Sequence, residues 1–108
     1  MPRHKSTDNA VEVKGMTLNL EKLTLERNGS SEVHLTPKET KLMALLMKNV
    51  GKVVSRSELM QEVWHTEYLG DTRTLDVHIC WLRQKIEDNP RVPEMILTRR
   101  GQGYELRI

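Results

Sequence analysis

Little in this sequence lends itself to cross-linking, membrane insertion or catalysis. Its one cysteine, Cys80, excludes an internal disulfide and fits a reducing cytoplasm. The longest apolar runs are a few residues, so no segment could span a bilayer, and nothing resembles a signal peptide. His4, His34, His65 and His78 combine with Cys80 in no zinc-ligand spacing. Gly101 and Gly103 sit at a hairpin tip rather than between a strand and a helix, so there is no phosphate-cradling loop. No nucleophile and base pair can be assembled. These absences argue against an enzyme and imply no metal and no cofactor.

What is present fits one domain. A chain of 108 residues allows one modest core, and 37% hydrophobic with 30% charged residues is a soluble globular composition. A net charge of +2 says little about partners, but its distribution says more. Arg73, Arg83, Lys85, Arg91, Arg99, Arg100 and Arg107 fill the last third, while much of the acid lies in the first 67 residues.

Residues 1–10 (MPRHKSTDNA) are polar, of mixed charge and without periodicity, and read as a disordered tail or linker stub ahead of a domain over 11–108. Four strand-like pieces follow, carried by Val11 and Val13, by Met16, Leu18 and Leu20, by Leu23 and Leu25, and by Val33 and Leu35. Gly15, Glu21-Lys22 and Asn28-Gly29 punctuate them, which predicts an antiparallel meander with one covered face. Thr36-Pro37-Lys38-Glu39 is a capping box with proline at the first helical position, opening a helix with Leu42, Met43, Leu45 and Leu46 that Gly51 closes. Ser55-Arg56-Ser57-Glu58 is a second capping box, before Leu59, Met60, Val63 and Trp64.

The longest amphipathic stretch is DTRTLDVHICWLRQKI, with Asp71 as the expected N-cap and Asn89-Pro90 and Pro93 as stops. Leu75, Ile79, Leu82 and Ile86 form its buried stripe. At about 100° per residue, the opposite side holds Arg73, Val77, Cys80, Trp81 and Gln84, with Thr74 on its flank. Valine, cysteine and tryptophan on an outward face imply a surface that is covered part of the time. Two strands around Arg99–Gly103 then make a basic hairpin.

A short helix, a longer helix with such a face and a basic hairpin are the parts of a DNA-reading helix-turn-helix. The major groove, about 12 Å wide, admits one helix. Arg73 suits a phosphate or a guanine edge, Thr74 a phosphate, and Val77 and Trp81 thymine methyls or sugars. Other readings stand beside these. His78 is a half-buried, satisfied histidine or a DNA contact, and Arg83 a salt-bridge partner or a contact. Cys80 is a small apolar residue, Trp81 a lid on a core edge or a contact, and Trp64 core or interface rim. Arg99 and Arg100 alternate along a strand, so only one can face DNA.

Together these pieces resemble the DNA-binding effector domain of OmpR/PhoB-type response regulators. The match lies in Thr72-Arg73-Thr74-Leu75-Asp76-Val77-His78-Ile79, Leu82-Arg83 and Lys85-Ile86-Glu87, and in the run from Ile96 to Tyr104. Leu35–Glu39, Val54–Leu59 and Val63-Trp64 add to it, and it covers roughly Val11 to Ile108. The resemblance implies an α+β winged helix-turn-helix: an N-terminal four-stranded antiparallel sheet, three helices and a C-terminal β-hairpin wing. It implies transcription regulation in the cytoplasm, with a recognition helix at about 72–87 in the major groove and a wing at about 99–103 at the minor groove. The candidate DNA contacts are Arg73, Thr74, Val77, His78, Trp81, Arg83, Gln84 and Lys85 on the helix, and Thr98, Arg99, Arg100 and Gly101 on the wing. The loop His65, Thr66, Glu67, Tyr68, Leu69, Gly70 matches a segment that contacts RNA polymerase in some members.

The implied partners are promoter DNA with direct repeats, bound as a dimer, and a receiver domain in a longer chain, of which this sequence reads as a fragment in preference to a free-standing effector domain. No membrane partner is implied. Some members carry two basic residues where this chain has Cys80 and Trp81, which alters its sequence preference and its charge for phosphate contact. The competing reading is a winged-helix protein-interaction module that does not read DNA, with Cys80 and Trp81 as a small hot spot.

Overall fold

Four short strands pair in chain order into an antiparallel meander: β1 (Ala10–Val13), β2 (Met16–Asn19), β3 (Thr24–Arg27) and β4 (Val33–His34). The structure, a computed structural model, describes residues 9–29, 31–65 and 72–108. Val13 pairs with Met16, leaving Lys14-Gly15 as a two-residue turn with both φ positive, at 47° and 87°. That turn matches the right-handed strand twist. A Cβ on Gly15 would lie 2.2 Å from Asn28 Oδ1, so a side chain there would have to displace Asn28 and would be strained at this φ.

The next turn departs from expectation. Leu20 and Leu23 were expected to continue strands, yet β2 ends at Asn19 and β3 begins at Thr24. Asn19 Oδ1 accepts the N–H groups of Glu21 (2.9 Å) and Lys22 (2.8 Å), and Leu23 adopts φ 59°. An asparagine that captures the amides two and three residues on makes a turn that leaves the ladder. Both leucines stay half-buried.

α1 (Pro37–Lys48) carries both arms of its capping box: Thr36 Oγ1 accepts from Glu39 N–H, and Glu39 Oε1 accepts from Thr36 N–H. It ends at Lys48 with Asn49 as cap, ahead of the expected closure at Gly51. Gly51 (φ 82°) instead turns the chain into β5 (Val53–Ser55), a strand that the sequence reading did not foresee. α2 (Arg56–Trp64) follows at once. Ser55 Oγ accepts Glu58 N–H at 3.1 Å, which is the serine arm of the second expected box.

α3 (Arg73–Ile86) has Thr72 at its N-cap, while Asp71 lies outside the described residues. The helix ends one residue before Glu87, well ahead of the prolines. Glu87 is 8% exposed, and its carboxylate accepts the N–H groups of Glu94 (2.9 Å), Met95 (3.0 Å) and Ile96 (2.8 Å). It thus ties the end of α3 to the start of β6 (Ile96–Arg99). β7 (Gly103–Leu106) pairs with β6 on one side and β5 on the other, so the wing hairpin belongs to a three-stranded sheet.

α1 sits at the centre, against β1 and β2 on one side and α2, α3 and β7 on the other. Leu42, Met43, Leu46 and Met47 fill this layer with Met16, Leu18 and Leu25 from the sheet. The expected stripe of α3 is all buried: Leu75, Ile79 and Leu82 are 0% exposed and Ile86 8%. Burying each such side chain stabilises by about 1.5–3 kcal/mol. That burial fixes which side of α3 faces out.

Candidate nucleic-acid interface

Because the stripe faces inward, Arg73, Thr74, Val77, Cys80, Trp81 and Gln84 are all exposed on the other side of α3. The periodicity alone placed them correctly. Val77 is 42% and Trp81 46% exposed, large values for such side chains in a folded domain.

The N-terminal turn of α3 is held by a network centred on Asp76. Both Arg56 guanidinium nitrogens donate to it, at 2.9 and 3.0 Å, and the Tyr104 hydroxyl donates at 2.6 Å. Arg56 also donates to the Thr72 carbonyl at 3.2 Å and to its hydroxyl. One carboxylate therefore joins the start of α2, the start of α3 and the middle strand of the wing sheet. Arg56 hydrogen bonding holds the Asp76 carboxyl below its ordinary value, with Tyr104 adding to it against the opposing effect of burial. Burial, then Asp76, push the Tyr104 phenol above its own ordinary value.

His78 is half-buried, and its Nδ1 lies 2.7 Å from the Thr74 carbonyl. Its ring stands edge-on to Trp64 at 5.0 Å and tilted against Trp81 at 4.9 Å. Half-burial and the bond to Thr74 fit the satisfied-histidine reading of that residue. Trp64 stands behind it, half-buried against the core.

Arg83 has a partner that neither reading anticipated. Its guanidinium donates to the Ile96 carbonyl at 2.7 and 3.1 Å and to Thr98 Oγ1 at 2.9 Å, above the Tyr104 ring. It thus clamps α3 to β6. Lys85 turns inward to Glu39, a carboxylate only 1% exposed, at 2.6 Å. Burial pushes the Glu39 carboxyl upward, but Lys85 and the Thr36 N–H outweigh it, and the value lies below the ordinary one. Gln84 approaches Cys80 Sγ at 3.8 Å, a weak contact.

On the wing, Arg99 Nε donates to Glu105 Oε1 across the hairpin at 2.7 Å. Arg100 and Gly101 occupy the turn, closed by Gln102 N–H to the Arg99 carbonyl at 2.8 Å. Arg100 is exposed and has no partner among the described residues. Gly103 is where β7 crosses β5, and a Cβ there would lie 2.0 Å from the Val54 carbonyl oxygen. His65 caps α2 in the left-handed region (φ 55°, ψ 41°) and is exposed, while Thr66, Glu67, Tyr68, Leu69 and Gly70 lie outside the described residues.

Among the described residues no His, Cys, Asp and Glu cluster could hold a metal ion, and no helix is long and apolar enough to cross a membrane. A cavity of about 650 Å³ opens between the N-terminal sheet and the residues after α3, where Lys14, Asp88 and Arg107 line it. Its lining includes none of the outward-facing residues of α3.

A recognition-type helix laid across a shorter one, with a hairpin hinged to its side, defines a winged helix-turn-helix protein. The chain belongs to the OmpR/PhoB-type C-terminal effector domains, its residues 30–106 matching the family described as "Transcriptional regulatory protein, C terminal". It is 48% identical over 75 residues to the alkaline phosphatase synthesis transcriptional regulatory protein SphR of Synechococcus elongatus. That alignment covers 69% of this chain and 29% of SphR, so the chain spans less than a third of that curated relative. The E. coli CpxR DNA-binding domain superposes with TM-score 0.76 at 33% identity, covering 91% of this chain and 95% of that one. The Klebsiella pneumoniae RstA DNA-binding domain, solved in complex with the RstA box, gives TM-score 0.79 at 26% identity over 91% of this chain and 96% of its own.

Proposed function

We propose that this chain is the effector domain of a two-component response regulator that binds promoter DNA in a sequence-specific way and regulates transcription. α3 enters the major groove by its outward face, and the wing turn lies along the backbone at the adjacent minor groove. The observation that carries this reading is the Arg83 clamp together with the Asp76 network. They hold an exposed helix face and an exposed basic turn in one rigid arrangement.

The side chains divide by what they are able to reach. Arg73, Thr74, Val77, Trp81 and Gln84 on α3, with Arg100 and Gly101 on the wing, form the contact surface. His78, Arg83, Lys85, Thr98 and Arg99 act from behind it through the partners described above. Two copies on direct repeats, a receiver domain elsewhere in the longer chain and an RNA polymerase contact from the segment His65 to Gly70 complete the proposal. They follow from the family resemblance and from the 29% share of the curated relative that this chain covers.

The test is binding to direct-repeat duplexes and their scrambled versions across a salt series. A specific site should bind at least about fivefold more tightly, since one bidentate base contact is worth about 1–3 kcal/mol. Each phosphate contact adds about 0.9 to the salt slope. Equal affinity for every duplex at every salt concentration overturns sequence-specific binding.

A further inference from the structure

The outward face of α3 is apolar at its centre, where a base-reading helix would otherwise carry hydrogen-bonding groups. Val77 is 42% exposed, Trp81 46%, and Cys80 lies exposed beside them. At spacings of three and four, these side chains adjoin on the helix surface. Arg73 and Thr74 stand one turn before them and Gln84 one turn after. None of the three offers the paired groups that a guanine or adenine edge requires, and the indole N–H is a single donor.

Trp81 is also braced. His78 packs against it at 4.9 Å, is backed by Trp64 at 5.0 Å and is tied to the Thr74 carbonyl at 2.7 Å. Trp81 therefore keeps nearly half its surface in water while its side is fixed.

We infer that this ridge selects thymine, so that half-sites for this domain carry adjacent T·A pairs whose C5 methyls meet Val77 and Trp81. The inference rests on the DNA-reading function proposed above. In the major groove the thymine methyl is the apolar feature of the base edges, whereas the other groups are donors and acceptors. An apolar ridge pressed on those would strip them of water without replacing the lost hydrogen bonds. The ridge lies between the hydrogen-bonding ends of the same helix face, so thymine reading is continuous with the rest of the contact surface.

The experiment selects duplexes from a random-sequence pool with this chain and then resynthesises the enriched site with deoxyuridine in place of thymine, one position at a time. The expected result is an enriched site with neighbouring thymines at which loss of a methyl weakens binding about fourfold, the equivalent of one buried carbon. Deoxyuridine elsewhere in the site should have no effect. Val77→Ala and Trp81→Ala, checked for an unchanged melting profile, should bind thymine and deoxyuridine sites alike at their respective positions. Arg100→Ala should weaken both sites equally and keep the ratio. Enriched sites lacking thymine there, or equal binding to thymine and deoxyuridine sites, overturn the inference and leave DNA reading intact. No enrichment at all overturns the DNA-reading function and this inference with it.

Discussion

Asp76 accepts the Tyr104 hydroxyl at 2.6 Å, although the two residues lie in different elements 28 positions apart. One belongs to the recognition-type helix and the other to the middle strand of the wing sheet, and Arg56 completes the junction from α2. The angle between helix and wing is therefore set by a carboxylate that does not itself lie on the contact surface proposed above.

Removing the hydroxyl alone should loosen that junction while leaving the core intact. Tyr104→Phe keeps the buried ring and loses one hydrogen bond to a charged acceptor, a change of about 1–2 kcal/mol in unfolding free energy. Urea unfolding measures it, and duplex titration should show weaker binding beyond what lost folding explains. An unchanged affinity would mean that the wing finds its position without Asp76.

Acid should act through the carboxylates. Asp76, held down by Arg56, and Glu39, where Lys85 and Thr36 outweigh burial, both lie below their ordinary values in the folded chain. Each binds its proton more weakly folded than unfolded. The stability they contribute is therefore complete above about pH 5, clear of the unfolded values, and is lost as pH falls through the folded ones. Urea midpoints should be level above about pH 5 and fall steeply below about pH 4. Asp76→Asn should flatten part of that acid limb, and an unaltered limb would refute its assignment.

Lys85 and Arg100 should separate stability from binding. Lys85→Met leaves Glu39 buried beside an apolar side chain. Because Lys85 is itself one-third exposed, we expect a loss of about 1–3 kcal/mol, below the range for a fully buried pair. Its salt slope for DNA should not change. Arg100→Ala should do the reverse, lowering the slope by about 0.9 at constant melting temperature. A reduced slope for Lys85→Met would place its ammonium on a phosphate.

Gly103→Ala should fail at the level of the fold. A Cβ 2.0 Å from the Val54 carbonyl oxygen forces β5 and β7 apart. Soluble yield and thermal unfolding would report it, with Gly29→Ala, whose Cβ meets nothing within 4 Å, as the milder comparison.

Periodicity and capping made much of the architecture legible. Leu75, Ile79, Leu82 and Ile86 oriented α3, and the Thr36 box opened α1 where expected. The errors came where a polar side chain captured main-chain groups. Asn19 converted the expected strand residues Leu20 and Leu23 into a turn, and Glu87 took over the segment after α3. Three-residue β5 carries too short an alternation to register on its own. In the interface, exposure was readable but partnership was not. Arg56, Asp76 and Tyr104 meet only through tertiary packing, and no local spacing announces them. The charge of Arg83 and Lys85 is visible in a sequence, but its engagement with Ile96, Thr98 and Glu39 is not.

The placement of β7 bears on how the domain comes into being. It is the middle strand of the wing sheet, yet it follows β5, α2, α3 and β6 in the chain. Synthesis runs toward the C-terminus, so β5 and β6 emerge without the neighbour that pairs with both. Arg56 and Asp76 likewise emerge before Tyr104. The helix face can form early, but its alignment with the wing waits for Gly103–Leu106. A nascent or truncated chain that stops short of those residues should retain helical content and lack the assembled reading surface.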